Sequence, residues 1–432
     1  MSKTAIVWLV TYFAGVLYAF KDPVYGLFTY FLDYYEHPPL RWWGEEFPDL
    51  RWSFSISVLT LVLYFIKKGR FKTVATPWHP QSKWLFLFAA NAVLVTLTTA
   101  VWQEKSWEKV VEILKLVMLY FLITRTVRTK KQFRNLLLVH IAGIFSWGWN
   151  AYTNPHRRAG RLYGIGGPDS IEDNGTAAHL LAILPLLGTV YFTGKRWEKG
   201  LCVLSAVFAV NAFILCNSRG GVVGLAMVMG AGLVLTKGAM RGKVFMGIIV
   251  GLLLLYALAD PQFIARQQTI KDYNEDSSAT GRLDSWMGAI RLVEDHPFGV
   301  GGGGFEYLSP IYIPEIVAAH KGQNRSVHST YFLVVSDWGI QGLFFFMAFT
   351  LSTFRELHVI RKTAEKHRND STTGMTSLAL TLGYVGLLGA GIFIVRAYAE
   401  SVYWLPAFTA VLRDIQLREL KEIKEADAAA LA

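Results

Sequence analysis

Long apolar blocks separated by short basic connections are the feature that most limits how this chain can fold. Of its 432 residues, 53% are hydrophobic and only 17% are charged. A segment of about 17 to 25 apolar residues can cross about 30 Å of hydrocarbon as a helix, because a helix pairs its own backbone polar groups. The sequence therefore predicts an all-α polytopic membrane protein.

About twelve transmembrane helices are predicted from these blocks. They lie near residues 4–20, 52–66, 83–101, 109–124, 133–151, 177–193, 200–216, 220–236, 244–259, 329–352, 376–395 and 402–412. Residues 23–32 form an aromatic stretch that either re-enters the membrane or extends the first helix. Residues 1–20 lack a small-residue cleavage site, which favours a spanning helix over a removed signal peptide.

The basic connections predict the orientation, because loops retained in the cytoplasm are richer in Lys and Arg. With the N-terminus inside, the retained loops carry basic clusters at 67–72, 125–131, 195–199, 237–243 and 355–368. An even number of spans returns the C-terminus to the same side. We therefore expect a multi-pass protein of a bacterial inner membrane, with both termini cytoplasmic and the reactive residues periplasmic.

This topology divides the chain into five regions. They are an N-terminal transmembrane region (1–151), a central transmembrane region with Arg-bearing periplasmic turns (152–259), a large periplasmic loop (260–328), a C-terminal transmembrane region (329–412) and a cytoplasmic tail (413–432).

The large loop is expected to contain an amphipathic helix from Thr280, as N-cap, to Asp295. Its predicted apolar face, which would lie along the membrane surface, comprises Leu283, Trp286, Met287, Ile290 and Val293.

Several other classes of function fit the sequence poorly. The net charge of +11 sits largely in the connections, where topology explains it better than nucleic-acid binding does. Cys202 and Cys216 share one apolar segment and are expected to be buried and unreactive. The run Gly299–Gly304 formally satisfies a dinucleotide fingerprint, but it lacks a preceding strand and a following helix, so a hinge or a close-packing site is the better interpretation.

Arginines stand where the predicted spans meet the periplasm. Arg161, Arg219 and Arg282 each occupy such a boundary, and each could simply extend its side chain to lipid headgroups. The surroundings of Arg219 favour a specific role. Ser218 can cap a helix whose free N–H groups point outward, while the guanidinium offers a fork of donors to phosphate oxygens. This pattern predicts a diphosphate site at the edge of the bilayer.

His328 begins the tenth predicted span. A histidine in that position is often only a surface residue. Nearby guanidinium groups and a positive helix end would disfavour its imidazolium form, so the ring would stay neutral near pH 7. A neutral histidine beside an anion site is a candidate general base.

The sequence carries no HExxH pattern, no Cys/His cluster with metal-ligand spacing, no GxSxG and no Walker motif. No metal and no cofactor are therefore predicted. The acidic residues of the large loop have no distinctive spacing and are expected to be solvated. Asp173 and Asp284 are expected to partner the arginines, and Ser218, Asn174 and Tyr331 to support the site.

The combination of motifs resembles the O-antigen ligase and polymerase superfamily. The resemblance runs from about 160 to 342 and is carried by Arg161-Leu162-Tyr163-Gly164, Asp173-Asn174, Ala177-Ala178, Ser218-Arg219-Gly220, Arg282 with Trp286, His296-Pro297-Phe298-Gly299-Val300-Gly301, His328-Ser329-Thr330-Tyr331 and Trp338-Gly339-Ile340-Gln341-Gly342. The aromatic loop 33–51 looks like the extended form of the family associated with O-glycosylation ligases.

The resemblance implies a membrane-embedded, GT-C-like glycosyltransferase that is metal-independent and inverting. Its donor would be a polysaccharide on undecaprenyl diphosphate, and in the ligase branch its acceptor would be a hydroxyl of the lipid A core. Arg161, Arg219 and Arg282 would bind the diphosphate, and His328 would take the acceptor proton.

Three activities within this superfamily share the donor and differ in the acceptor: O-antigen ligase, polysaccharide polymerase and protein O-oligosaccharyltransferase. We favour the ligase. A membrane transporter is the alternative from another class, although the sequence shows neither paired halves with broken helices nor acidic residues in mid-span positions.

Overall fold

A computed structural model describes residues 1–48, 50–71, 78–268, 277–367 and 371–431. The described fold is all-α, as predicted, apart from a short hairpin of β1 (Arg157–Arg158) and β2 (Arg161–Leu162). The helices are α1 (Lys3–Ala19), α2 (Val24–Glu36), α3 (Trp52–Lys67), α4 (Pro80–Thr98), α5 (Gln103–Thr126), α6 (Lys130–Thr153), α7 (Asp173–Thr193), α8 (Arg196–Leu215), α9 (Arg219–Leu235), α10 (Gly238–Leu258), α11 (Pro261–Gln268), α12 (Ser277–Asp295), α13 (Gly304–Tyr312), α14 (Pro314–Ala319), α15 (Thr330–Lys366), α16 (Ser371–Ala390) and α17 (Ser401–Leu431).

Five helices among the described residues are long and apolar enough to cross a membrane, namely α7, α8, α10, α15 and α16. Helices α1 and α9 are apolar but shorter. These findings agree with a membrane protein. No residue of α10 is fully buried in the protein, as expected for a helix at a surface that contacts lipid.

Residues 23–32, which the sequence left ambiguous, belong to a separate helix that runs back along α1. The close approach of the two helices is set by Gly15, where an added Cβ would lie 1.9 Å from Thr29 Oγ1. At the turn between α1 and α2, Lys67 donates to the carbonyl of Phe20. At the opposite end, where α1 begins, the backbone N–H of Ser2 donates to Glu46 Oε2 at 2.8 Å. The N-terminus therefore lies on the same side as the loop between α2 and α3.

Among the described residues, the start of α1 and the later part of α17 lie at opposite ends of the bundle, whereas the sequence predicts that both termini share one side of the membrane. The α1–α2 turn is fixed by an ion pair of 2.7 Å between Asp22 and Arg128. The C-terminal helix α17 reaches this same end, where Glu419 pairs with Lys130 at 3.0 Å. The difference arises because α2 is a separate helix of 13 residues that runs back along α1, and it was not among the predicted spans. Helix α17 also continues through the predicted boundary at 412 without a break.

The glycine run 299–304 is a close-packing segment that docks into a break in α15. Gly339 has φ +77°, which interrupts the helix and releases carbonyl groups. The N–H groups of Val300 and Gly301 donate to the carbonyls of Ser336 and Asp337 at 3.1 and 2.9 Å. Since an added Cβ at Gly299 would lie 2.5 Å from Gly339 N, only glycine allows this backbone contact.

Helix α12 differs from its prediction in two respects. It begins at Ser277, so Thr280 lies inside the helix and is not its N-cap. Of the predicted apolar face, Leu283, Met287 and Ile290 are exposed on the outside of the protein, whereas Trp286 packs against the core. The face that packs against the rest of the protein also includes Ala289 and Leu292, which are buried.

Candidate active site

The first part of the site is the β hairpin and the start of α7. The hairpin turns at Ala159 and Gly160, both with positive φ, and this places Arg161 on β2. Arg161 Nη1 donates to Asp173 Oδ2 at 2.7 Å. The side chains are 25% and 12% exposed, so the guanidinium keeps an accessible face while its other side is fixed by the carboxylate.

The second part is the start of α9, which forms as the sequence predicts. Ser218 Oγ accepts from the N–H of Gly221 at 3.0 Å and so caps the helix. The same hydroxyl donates to Asn174 Oδ1 at 2.6 Å, which joins the first turn of α9 to the first turn of α7. Arg219 is therefore held beside the Arg161–Asp173 pair by two helix starts in contact, with partial exposure to solvent.

The third part is Arg282, which α12 presents to the other two arginines. Burial is the largest influence on this group, and the charges of Arg219 and Arg161 add to it, so that the pKa of Arg282 lies below its usual value. The negative charge of Asp173 acts in the opposite direction, because it raises the pKa of Arg282. The three guanidinium groups thus lie within electrostatic range of one another and of a single carboxylate. An arrangement of three cations and one anion leaves an excess of positive charge for an anionic ligand.

The fourth part is His328, which lies immediately before the N-cap of α15 in a left-handed conformation with φ 51°. Burial, followed by the charges of Arg282, Arg325 and His320, lowers the pKa of His328 to about 4. The ring is therefore neutral at physiological pH. The contribution of the arginines was expected from the sequence, whereas burial is the larger cause of the lowered pKa.

Aromatic side chains connect these segments beneath the polar groups. Trp286 stacks on Phe332 with ring centroids 5.4 Å apart, and it lies 6.1 Å from Phe393. Phe393 in turn packs against the start of α9, where a Cβ added to Gly220 would lie 3.2 Å from the Phe393 Cβ. This layer ties α12, α15 and α9 together and fixes the relative positions of Arg282, His328 and Arg219.

Two of the predicted supporting residues have other roles. Asp284 is exposed, and it stands two residues from Arg282 on a helix, about 200° around the axis, so the prediction that it partners the arginines is wrong. Tyr331 donates from its hydroxyl to the carbonyl of Leu388 at 3.0 Å and thus anchors α15 to α16. Ser218, Asn174 and Asp173 lie where the sequence placed them, at the starts of α9 and α7.

A buried ion pair near the site was not predicted from the sequence. Arg396 lies in the segment between α16 and α17 and contacts Asp169 in the loop before α7. The available signal was Arg396 itself, because an arginine directly after Ile394 and Val395 in an apolar stretch requires a partner. Its partner could not be identified, since 227 residues separate the two.

The fold and the site together define a class: a helical membrane-type protein with a cluster of guanidinium groups beside an uncharged imidazole. Residues 204–347, about one third of the chain, match the family model described as O-antigen ligase, and this match supports assignment to the O-antigen ligase family. Arg219, Arg282 and His328 fall inside the matched segment, while Arg161 precedes it. No curated protein sequence matches the chain. The family implies glycosyltransferase-type activity on lipid-linked polysaccharide.

Proposed function

We propose that this protein is an O-antigen ligase that transfers a polysaccharide from undecaprenyl diphosphate to a hydroxyl of the lipid A core. The observation that carries the proposal is the convergence of Arg161, Arg219 and Arg282 from three separate segments, with His328 within electrostatic range of Arg282. The family match supports the same donor chemistry.

The arginines would bind and neutralise the lipid diphosphate. A diphosphate leaves readily once its developing charge is stabilised, so the reaction needs fixed cations more than an acid that donates a proton. Arg219 sits at the capped start of α9, where free backbone N–H groups and the helix dipole add to its own charge. The diphosphate would therefore lie between α9, α12 and the β hairpin.

His328 would act as the general base. Its ring is neutral, so it can accept the proton of the acceptor hydroxyl as that oxygen attacks the anomeric carbon opposite the diphosphate. Attack from the opposite face inverts the anomeric configuration. The bond from carbon to the acceptor oxygen forms, the bond to the diphosphate oxygen breaks, and the electron pair leaves with the diphosphate without a metal ion.

The proposed membrane is the bacterial inner membrane, with the site on the periplasmic face. The end of the bundle that carries Arg128, Lys130 and the C-terminus is the basic end and would be cytoplasmic. In this arrangement α1–α10 and α15–α17 each cross once, which is one crossing more than predicted. The C-terminus remains cytoplasmic, and the N-terminus becomes periplasmic.

The test is transfer by the purified full-length protein, with lipid-linked polysaccharide and lipid A core as substrates and with a chelator present. We expect transfer to persist with chelator. His328→Ala should lower the rate by about 100-fold or more, whereas the matched control His320→Ala, an exposed histidine in the same loop, should keep it. Full activity of His328→Ala would overturn the base assignment.

The same reaction mixture separates the related activities. A product on lipid A core supports the ligase, a longer lipid-linked chain indicates a polymerase, and glycan on a protein acceptor indicates an O-oligosaccharyltransferase. Arg219→Lys should also be impaired, because a point charge cannot replace a planar fork of donors. Arg291→Lys, on an exposed face of α12, is its control. Movement of glycolipid across the membrane without any transfer would instead favour a transporter.

A further inference from the structure

The first turn of α15, directly after His328, is hydrogen-bonded to the segment between α16 and α17. Thr330 N donates to the carbonyl of Gly391 at 2.9 Å, and Thr330 Oγ1 donates to the carbonyl of Ile394 at 2.8 Å. The same hydroxyl accepts from the N–H of Arg396 at 2.8 Å. Contacts that hold Arg396 in place therefore also restrain the backbone next to His328.

Arg396 reaches from that segment into the loop before α7. Its guanidinium donates to the carbonyl of Asp169 at 2.6 Å and to Ser170 Oγ at 3.0 Å, and it lies 3.5 Å from Asp169 Oδ1. Arg396 is 4% exposed. A buried guanidinium with this set of partners holds two chain segments in one geometry.

The Asp169 carboxylate is held from the other side as well. It accepts from Tyr34 Oη at 2.6 Å, from Ser170 Oγ at 2.7 Å and from the N–H of Glu400 at 2.7 Å. Burial raises the pKa of Asp169, but the Arg396 guanidinium and the hydrogen bonds from Tyr34 and Ser170 hold it below its usual value. The carboxylate is therefore ionised and pairs with Arg396 as a charge.

A chain of hydrogen bonds that leads to Tyr34 also supports an ionised Asp169. Since Tyr34 donates to Asp169, its oxygen is left to accept from His179 Nδ1 at 3.5 Å. His179 Nε2 then accepts from Tyr35 Oη at 3.0 Å, and Tyr35 Oη accepts from His140 Nδ1 at 2.8 Å. This assignment of protons follows from the network. Every donor is directed toward Asp169, so the chain supports its negative charge.

The loop that contains Asp169 also leads to the arginine cluster. The carbonyl of Ser170 accepts from Thr176 Oγ1 at 2.6 Å in the first turn of α7. That turn begins at Asp173, the partner of Arg161. The Asp169–Arg396 pair thus stands between the segment that carries the diphosphate-binding arginine and the segment that carries His328.

We propose that Asp169 and Arg396 are positioning residues, which set the spacing between His328 and the Arg161–Asp173 pair without touching the substrate. The inference rests on the proposed function for the meaning of that spacing. The coupling of the two loops does not depend on any substrate and can be tested separately.

The first experiment measures amide hydrogen exchange of the full-length protein in detergent. Arg396→Gln should accelerate exchange in both 165–173 and 328–333 by about tenfold or more, because one buried contact restrains both. Arg413→Gln is the matched control: it removes an arginine from α17 that contacts Gln416 and Glu356 away from the site. Wild-type protection of either loop in Arg396→Gln would overturn the proposal.

Tyr34→Phe keeps the inference testable if Arg396→Gln does not fold, because it removes one hydrogen bond from Asp169 and little volume. It should accelerate exchange in the same two segments by a smaller factor, on the order of threefold. Unchanged exchange in both segments would count against a shared restraint.

The second experiment compares turnover with donor affinity in Arg396→Lys and Tyr34→Phe. A displaced His328 should lower turnover by about 3- to 30-fold and leave the donor KM within about threefold, because the three arginines that bind the donor are unchanged. Arg396→Lys should retain more activity than Arg396→Gln. If turnover in both variants equals that of the wild type, the positioning role is wrong. If the exchange pattern holds but the wild type transfers no glycan, the proposed function is wrong and the coupling stands.

Discussion

Arg161 Nη1 and Asp173 Oδ2 lie 2.7 Å apart, and this ion pair joins the β hairpin to the first residue of α7. The charge of Asp173 also favours the protonated form of Arg282. We expect Asp173→Asn to lower the donor KM by about fivefold, equivalent to about 1 kcal/mol for a partly exposed pair after solvent screening. The amide keeps a hydrogen-bond acceptor for Arg161, while the site gains a net positive charge.

Steady-state kinetics with varied donor concentration measure this effect. Asp284→Asn removes the same charge from the exposed face of α12 and should leave the donor KM unchanged. A higher KM in Asp173→Asn would mean that the carboxylate serves mainly to orient Arg161.

The pH dependence of transfer should reflect the low pKa of His328. An ordinary histidine titrates near about 6.5, whereas the pKa of His328 is about 4. The base works in its neutral form, which predominates at pH values above that pKa. The rate at pH 5 should therefore remain about nine-tenths of the rate at pH 7.5. A loss of most activity by pH 5 would show that the imidazole has an ordinary pKa.

Arg282→Gln should move the acid limb of that profile to higher pH. The guanidinium is the largest charge that disfavours the imidazolium, so its removal raises the pKa of His328. Burial persists, so the new midpoint should stay below that of a free histidine. The midpoint is read from single-turnover rates at saturating donor, which separates the shift from weaker donor binding. An unmoved midpoint would mean that Arg282 lies too far from His328 to influence it.

The break in α15 should tolerate no side chain at Gly339. An added Cβ would lie 2.5 Å from the Phe298 carbonyl group, and the backbone has φ +77°. We expect Gly339→Ala to cost at least about 2 kcal/mol through strain and overpacking. The measurement is the thermal midpoint of the protein in detergent. Gly230→Ala, in α9 with open space around it, should be neutral or stabilising. Equal midpoints for the two variants would contradict the observed break.

The N-terminus should be reachable from the periplasm and the C-terminus should not. In a background with Cys202 and Cys216 replaced by alanine, Lys3→Cys should react with a membrane-impermeant maleimide in cells whose outer membrane is permeabilised. Ala428→Cys should react only after the inner membrane is opened. Both residues are exposed at their helix ends, so access depends on sidedness. Identical labelling of the two would contradict the placement of α1 and α2.

The amino-acid sequence by itself determined the helical class and the local parts of the site. Apolar blocks of sufficient length specify helices because only intra-segment hydrogen bonds satisfy the backbone in hydrocarbon. Ser218 could be recognised as the cap of α9, since capping depends on a side chain and an N–H only three residues away. Arg161, Arg219, Arg282 and His328 were likewise predicted, because each stands at a boundary between apolar and polar sequence.

Only the tertiary structure decided which elements meet. The α1–α2 hairpin depends on close contact at Gly15, and the side on which the N-terminus lies follows from that packing rather than from loop charge. The face of α12 that is buried carries Arg282 inward and leaves Asp284 in solvent, although the two are neighbours in sequence. Arg396 and Asp169 pair across 227 residues. Hydropathy and capping depend on neighbours along the chain, whereas these contacts depend on how distant helices pack, and the sequence pattern carries no direct record of that.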